Sequence, residues 1–366
     1  MLPDLTRVPG AVVDDDGVLQ HSGQPVIEQR QLIAGTAVAP RADRRVLAVT
    51  GEDRLSWLDS VTSQALTALE PGRSTELLIL DPQGRVEHAA AVLDDGETTW
   101  LIVDRGDADA LLAWLLRMRF RLRVAPRDAS DEVSVVGVTD AGLGLLTPAA
   151  SNGIPLVWQD PWPEIGPGGV GYAPIDGHPG ADRRWFEVLV DDTEARRLTD
   201  AAAAGEVTFA GSLAVEALRV AAWRPAWATE VDERTIPHEL DWMRTAVHMD
   251  KGCYRGQETV AKVHNLGHPP RRVVALHLDG SDDLLPRSGD VVRIGETEIG
   301  RVTSVARHFE DGPIALAVVK RSASTDGPLV VATEGGDVTA AATPIVPADA
   351  GATAAVPRLP RLSRRV

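Results

Sequence analysis

Cysteine is the scarcest residue of this 366-residue chain, which contains only Cys253. One cysteine cannot form a disulfide within the chain, and it cannot supply the four thiolates of a zinc site or an iron–sulfur cluster. The nine histidines include no pair at metal-binding spacing on one predicted helix. We therefore expect no intrinsic metal, and we expect the reducing environment of the cytoplasm.

Long hydrophobic runs are also missing. The most apolar stretch, residues 110–116, is followed by Arg117 and is too short to span a bilayer. The first ten residues have no apolar core and no small-residue cleavage pattern, so the sequence predicts no signal peptide. These features favour a cytoplasmic protein without a membrane partner.

Positive charge is in deficit, because 53 acidic residues outnumber 37 basic ones and leave a formal net charge of −16. A field of this sign repels phosphate backbones, so we expect no direct nucleic-acid partner. The sequence also lacks a phosphate loop, and Gly142-Leu143-Gly144 does not extend into a dinucleotide-binding fingerprint.

Apolar runs separated by turn residues predict a mixed α+β fold. Strands are expected over residues 45–49, 77–80, 86–92 and 98–103. The last three of these form an antiparallel meander, because Asp81-Pro82-Gln83-Gly84 and Asp94-Asp95-Gly96 are turn sequences. A helix is expected over 107–120, and a similar series of strands and helices follows, which suggests two related lobes.

The C-terminal part has an all-β character. Four segments that alternate apolar and polar residues predict a small barrel: 272–278, 290–294, 298–306 and 314–320. The predicted organisation is listed by range: an irregular N-terminal segment over 1–40, an α+β region of two related lobes over 41–270, a β-barrel over 271–347, and a flexible Arg/Pro tail over 348–366.

The scarcest residue types occur together in one place. Lysine occurs three times, whereas 34 of the 37 basic residues are arginine, and tyrosine occurs twice. Nevertheless Lys251, Cys253 and Tyr254 lie within four positions. An ammonium beside a thiol raises the thiolate fraction, and the start of the helix predicted over 258–264 has the same effect. We therefore expect Cys253 to be reactive and Lys251 to assist it.

Two alternatives stay open at this stage. A lone cysteine is more often a small buried apolar residue than a reactive group, although the flanking Gly252 and Gly256 favour close approach of a ligand. Lys262, His264 and His268 either form a basic rim for a carboxylate-bearing ligand or belong to a solvated loop.

A specific family resemblance begins at the same segment. Lys251-Gly252-Cys253-Tyr254-Arg255-Gly256-Gln257-Glu258 resembles the K-G-C-[FY]-x-G-Q-E signature of the YgfZ-type folate-binding proteins, which are relatives of the glycine-cleavage aminomethyltransferase, or T-protein. Residues 230–239 resemble the acidic stretch of that family. Residues 53–62 and the turn at 80–84 resemble its N-terminal half, and the predicted barrel resembles its C-terminal domain.

The resemblance implies a three-lobed aminomethyltransferase-like fold with tetrahydrofolate, or a derivative, in a central opening. It also implies support for the assembly or repair of iron–sulfur enzymes, and through them an effect on tRNA modification. The implied partners are folate and iron–sulfur client enzymes or assembly proteins. The implied catalytic residues are Cys253 and Lys251. The other motif residues are Gly252, Tyr254, Arg255, Gly256, Gln257 and Glu258. The folate contacts are expected at Arg219, Trp223, Glu230, Glu239 and Arg271.

The chain departs from the aminomethyltransferase branch in the predicted meander. In that branch the corresponding segment is similar to the pattern N-x-x-G-G-I-x-D-D. This chain has His88 and Ala89 in place of the paired aspartates. Proton transfer at the folate nitrogen therefore lacks its obvious agent. We expect a folate-binding accessory protein with Cys253 as a redox-active or transiently ligating thiol. The alternatives are a folate-dependent one-carbon transferase and an interaction scaffold in which the octapeptide is a structural hinge.

Overall fold

The computed structural model describes residues 5–281 and 284–354. These residues form two five-stranded sheets with helices against them, followed by a closed six-stranded barrel. The expected α+β class with a C-terminal β-barrel is therefore confirmed. Residues 355–366, which make up most of the predicted Arg/Pro tail, lie outside the described residues. Across the described ranges, every helix is too short or too polar to cross a membrane.

The N-terminal 40 residues have more regular structure than their sequence pattern predicts. After a 3₁₀ turn at Leu5–Arg7, the elements are β1 (Val12–Val13), β2 (Leu19–His21), α1 (Pro25–Ile33) and β3 (Ala37–Pro40). All four residues of β3 are buried, and β3 pairs with strands that come about 100 and 170 residues later. The expectation of an irregular segment is wrong here, because long-range strand pairing decides the conformation and leaves no local signal.

The first five-stranded sheet is antiparallel throughout. Its strands, with the two helices that cover it, are β4 (Arg44–Thr50), α2 (Arg54–Val61), β5 (Ser74–Leu80), β6 (Val86–Asp94), β7 (Thr98–Asp104), α3 (Ala108–Met118) and β8 (Ala125–Asp128). The strand order is β5-β6-β7-β4-β8. Adjacent pairing of β5 with β6 and of β6 with β7 confirms the predicted meander.

The second sheet repeats this composition with a different order. Its strands, besides β3, are β9 (Ser134–Thr139), β12 (Val157–Gln159), β13 (Trp185–Val190) and β14 (Thr208–Phe209). The same part of the chain contains a 3₁₀ turn (Asp140–Leu145), the separate hairpin of β10 (Ala150–Ser151) and β11 (Ile154–Pro155), a 3₁₀ turn (Pro179–Asp182), α4 (Asp192–Ala203) and α5 (Ser212–Ala221). The order is β12-β13-β9-β3-β14, and β14 joins β3 in parallel. A long loop over residues 160–184, which includes the second 3₁₀ turn, connects β12 to β13.

A connecting region of short helices leads to the barrel. It contains α6 (Trp227–Glu230), a 3₁₀ turn (Pro237–Leu240), α7 (Met243–Ala246) and α8 (Gln257–Leu266). The barrel strands are β15 (Arg271–Leu278), β16 (Val291–Ile294), β17 (Thr297–His308), β18 (Gly312–Lys320), β19 (Leu329–Thr333) and β20 (Gly336–Pro344). The barrel closes in the order β15-β18-β17-β16-β19-β20. The pattern analysis missed β19 and β20. The sequence of β20 gives little strand signal, because it consists mainly of small and polar residues.

The two sheets and the barrel, which are the three lobes of the protein, are joined by common apolar clusters. These clusters fix the positions of the lobes relative to one another. One core cluster joins the two sheets, with Val46 and Trp100 from the first and Val135 and Trp185 from the second. Another joins the first sheet, α5, the segment around Tyr254 and the barrel. Buried apolar surface is the main stabilising term in such contacts, so the sheets, α5 and the barrel pack as neighbours.

Candidate functional site

The octapeptide of residues 251–258 packs on the turn between β5 and β6. Gly256 caps α8 with φ of +83°, and a Cβ at this position would lie 2.6 Å from the carbonyl oxygen of Asp81. Gly84 in the facing turn has φ of +77°, and a Cβ there would lie 3.0 Å from Thr259. The backbones of the two turns therefore pack directly against each other, and neither glycine position has room for a side chain.

Lys251 anchors this loop from inside the protein. Its side chain is 3% exposed, and its ammonium donates to the backbone carbonyls of Asp59, Thr62 (2.9 Å) and Gln64 (2.8 Å). Burial lowers the pKa of Lys251, while the Asp59 carboxylate 3.5 Å away opposes that change. An ammonium has three N–H donors, so none remains for the thiol of Cys253. Lys251 thus holds the end of α2 and positions the loop, instead of facing the thiol as the sequence predicts.

Cys253 itself is exposed. Its neighbour Tyr254 turns inward and is 8% exposed, and burial raises the pKa of its hydroxyl. The ring centroid of Tyr254 lies 5.3 Å from the Lys251 ammonium, within the range of a cation–π contact. The thiol is therefore presented at the surface by a segment whose adjacent side chains are fixed in the core.

The remaining motif residues hold the loop against its surroundings. Arg255 forms an ion pair with Glu87 of β6 at 2.6 Å, and the Gln257 side chain donates to the Lys251 carbonyl at 3.4 Å. Helix α8 begins at Gln257, one residue before the predicted start, and Glu258 on its first turn is exposed. The charged residues of the motif therefore tie the loop to two places, β6 through Arg255 and the end of α2 through Lys251.

The proposed basic rim behind α8 is not assembled around one ligand position. His264 is bonded to the Tyr172 hydroxyl at 2.9 Å, and His268 to the carbonyl oxygen of Ala350 at 2.8 Å. Burial lowers the pKa of His264, which disfavours a positive charge at neutral pH. Lys262 is exposed. The structure thus does not support the basic rim, and it differs from the solvated-loop interpretation as well, because Lys262 and His264 belong to α8.

A cavity of about 350 Å³ lies between the two sheets and α5. Its wall contains four tryptophans, namely Trp158, Trp185, Trp227 and Trp242. Its charged wall residues are Arg41, Asp43, Arg44, Glu76, Asp104, Asp160, Arg183, Glu187, Glu216, Arg219 and Arg224. Volume and aromatic lining are both in the range of small-molecule sites, which enclose about 300–1,000 Å³.

Most of the charged wall residues are paired with one another. Arg41 contacts Glu187 at 2.9 Å and Asp43 at 2.6 Å, and Arg183 contacts Asp160 at 2.8 Å. Burial alone would raise the pKa of Asp43, but Arg41 lowers it to about 2. The wall is therefore a set of preorganised ion pairs that does not need to rearrange to present dipoles to a ligand.

Arg219 and Glu230 link this wall to the barrel. The Arg219 guanidinium donates to Glu230 at 2.9 Å, to Glu216 at 2.8 Å and to Ser304 of β17 at 2.5 Å. Ser304 in turn donates to the second oxygen of Glu230 at 2.5 Å. Glu230 has 0% side-chain exposure, and Arg219 forms part of the cavity wall. Two of the five expected folate contacts therefore lie at or beside the cavity.

The other three expected contacts lie elsewhere. Arg271 binds Glu239 at 2.7 Å and Asp232 at 2.5 Å, which ties the 230–239 segment to the first barrel strand. Burial raises the pKa of Glu239 although Arg271 opposes it. Trp223 adopts φ of +57° and packs edge-on against His178, with ring centroids 5.3 Å apart. It lines a separate cavity of about 220 Å³.

Comparison with known proteins identifies the fold. Residues 271–349 match the model of the glycine cleavage T-protein C-terminal barrel domain. A solved glycine cleavage system aminomethyltransferase T from Bartonella henselae matches 90% of this chain and 92% of its own, with a TM-score of 0.69 and 18% identity. The chain has an aminomethyltransferase-like fold. This confirms the fold expected from the sequence resemblance.

Two curated relatives of this aminomethyltransferase-like chain have different names. An aminomethyltransferase of Rippkaea orientalis is 28% identical over 308 residues, which is 79% of each chain. The mitochondrial iron-sulfur cluster assembly factor IBA57 homolog of Mycosarcoma maydis is 27% identical over 251 residues, or 64% of this chain and 55% of that protein. The chain is thus similar both to an enzyme and to an assembly factor.

The two residues that replace the paired aspartates face opposite sides of β6. Ala89 lies in the wall of the cavity. His88 faces the other side, where its Nδ1 lies 2.6 Å from a carboxylate oxygen of Asp107, and burial raises the pKa of Asp107. Side chains alternate along a strand, so only the alanine is available to a ligand in the cavity.

The sequence analysis missed most of the cavity wall. Glu76 directly precedes the apolar run of β5, and Glu187 lies in the otherwise apolar β13, and that was the one signal that could have singled them out. Arg41, Asp160 and Arg224 lie outside any recognisable motif. In the described ranges, no group of three or more His, Cys, Asp or Glu side chains is arranged to hold a metal ion.

Proposed function

We propose that this chain is a YgfZ-type folate-binding protein that supports the assembly or repair of iron–sulfur enzymes through Cys253. The observation that carries the proposal is the exposed thiol on a loop whose neighbouring side chains are anchored. A thiol presented in this way is accessible to another protein. The similarity to an iron–sulfur cluster assembly factor homolog also supports a role in iron–sulfur assembly.

In this proposal Cys253 contacts the client, and Lys251 is a positioning residue. The ammonium of Lys251 fixes the loop on α2, and Gly256 allows the loop to pack on the β5–β6 turn. The remaining motif residues also hold the loop in place. We also propose that the protein works in the cytoplasm and that tRNA modification depends on it only through its iron–sulfur clients.

Tetrahydrofolate, or a derivative, fits the cavity as the proposed cofactor. The cavity offers indole rings against which a pterin can pack, and it contains buried polar atoms that lack partners among the described residues. Arg219, one of the expected folate contacts, lies in its wall together with Trp227 and Trp242. When bound, the cofactor would supply one-carbon chemistry, and the wall would orient it and exclude water.

A folate-dependent one-carbon transferase is the second candidate. The similarity to an aminomethyltransferase over 79% of each chain favours it. The chain itself favours the accessory role, because Ala89 stands in the cavity wall where a carboxylate would be needed as the proton carrier. Release of the methylene carbon from 5,10-methylenetetrahydrofolate during turnover, with tetrahydrofolate left as the second product, would favour the transferase.

The proposal is tested in cells that lack the protein. The activity of an iron–sulfur enzyme and the level of the tRNA modification that depends on it are measured after the gene is restored. Cys253→Ala should abolish both effects while its melting temperature stays within about 1 °C, because the side chain is exposed. Lys262→Ala, a substitution of another exposed residue near the loop, should restore both effects fully. Full rescue by Cys253→Ala would refute the role of the thiol.

A further inference from the structure

Glu76 is a buried carboxylate with one unused oxygen. It lies in β5, its side chain is 5% exposed, and it forms part of the cavity wall. Its Oε2 accepts hydrogen bonds from Arg224 at 2.7 Å and from the indole of Trp242 at 3.1 Å. Its Oε1 is buried and has no hydrogen-bond partner among the described residues.

Arg224 carries the complementary unused donor. Its Nη2 binds Glu76, its Nε lies 3.4 Å from Asp160, and its guanidinium lies over the rings of Trp162 and Trp242 at 5.1 and 5.9 Å. Its Nη1 is buried, and no acceptor for it lies within the parts of the chain that the structure describes. Arg224 also forms part of the cavity wall.

These two atoms are a complementary pair rather than two separate defects. A buried polar atom without a partner costs about 1–3 kcal/mol, and native proteins leave few of them. Glu76 and Arg224 are bonded to each other, so the free acceptor and the free donor belong to adjacent groups. A ligand satisfies both when it presents an N–H next to a carbonyl oxygen. A ring lactam has that edge, and its flat face suits the nearby indoles.

We propose that Glu76 and Arg224 bind the lactam edge of a heterocyclic ring in the cavity. Glu76 accepts the ring N–H, Arg224 donates to the ring carbonyl, and Trp242 packs beside them. This inference rests on the proposed function, in which the ring is the oxopyrimidine part of the tetrahydrofolate pterin. It assigns the pterin end to the wall formed by β5 and the segment after α5.

The test uses the full chain and three probes: tetrahydrofolate, 6-methyltetrahydropterin, which has the ring alone, and p-aminobenzoylglutamate, which has the tail alone. Binding is followed by tryptophan fluorescence and by the shift in melting temperature. We expect the ring probe to compete with tetrahydrofolate. We expect Glu76→Gln to weaken both ring-containing probes about tenfold or more, because the charged acceptor is lost.

The control is Asp94→Asn, which neutralises a buried carboxylate paired with Arg54 at 2.8 Å in another part of the first sheet. It should bind tetrahydrofolate as the wild type does. Arg224→Lys, which keeps the charge but not the second nitrogen, should weaken binding by a similar factor, and it serves as the test if Glu76→Gln does not fold.

The outcomes separate this inference from the proposed function. Binding of tetrahydrofolate that is equal in the wild type, Glu76→Gln and Arg224→Lys would overturn the assignment of the lactam edge and leave folate binding intact. Competition by the tail probe alone would overturn it in the same way. No binding of tetrahydrofolate or the ring probe to the wild type would overturn both proposals.

Discussion

Replacing Lys251 with methionine removes a buried ammonium and leaves a side chain of similar length. Three backbone carbonyls at and beyond the end of α2 then lose their donor. Hydrogen bonds to a charged group contribute about 1.5–3 kcal/mol each, and the desolvation of the ammonium, which lowers its pKa, offsets part of the sum. We expect the free energy of unfolding to fall by about 3 kcal/mol, close to the cost of breaking a buried charged pair.

Urea denaturation of the purified protein measures this change. Lys320→Met is the matched control, because Lys320 is exposed and its ammonium donates to the carbonyl oxygen of Glu298 at 2.8 Å. The control should change stability by less than about 0.5 kcal/mol. Lys251→Arg should also destabilise, because a planar guanidinium cannot replace a compact three-donor head group at three converging carbonyls.

The result that would refute the anchoring role is a Lys251→Met variant as stable as Lys320→Met. The alkylation rate of Cys253 adds an independent measurement. If Lys251 positions the loop, Lys251→Met should alter the alkylation rate of Cys253 and should lower the free energy of unfolding as well. A slower rate with unchanged stability would instead restore the direct assistance to the thiol that the sequence predicts.

Three further predictions follow from the same structure. Gly256→Ala should lower the free energy of unfolding by about 2 kcal/mol or more in urea denaturation, since the new Cβ meets the Asp81 carbonyl at positive φ, whereas Gly252→Ala, with open space around it, should not. Burial lowers the pKa of His238 to about 4, so stability should fall by up to about 3 kcal/mol as the pH drops from 6.5 to 4, and His238→Gln should flatten that slope. Glu230→Gln should cost about 3–5 kcal/mol by calorimetry, and an unchanged melting temperature would contradict its pairing role.

The sign of the pH effect follows from proton binding. A neutral, buried His238 has a folded pKa below its unfolded value of 6.5, so the unfolded state binds more protons between pH 4 and 6.5. Stability therefore rises with pH through this window. His178 has the same depressed pKa, about 4, because it is buried and lies beside Arg244, so it contributes to the same slope.

Local patterns were sufficient for the meander of the first sheet and for the motif. The alternation of apolar residues and the turn at 81–84 predict the β5–β6 meander, because the period of two and the turn geometry are set by the backbone itself. The concentration of scarce residues at 251–254 singled out the loop with the exposed thiol. The same patterns missed β3, whose partners lie about 100 and 170 residues away in the sequence, and β20, which consists mainly of small and polar residues.

Tertiary structure decided which charges meet and which side chains face the cavity. Lys251 stands beside Cys253 in the sequence, yet its ammonium binds carbonyls almost 190 residues away. Glu76 and Arg224 are separated by 148 positions and form one buried pair in the cavity wall. No local signal encodes such pairs, because the free energy of a buried charge depends on desolvation and partners that exist only after the two sheets and the barrel have packed.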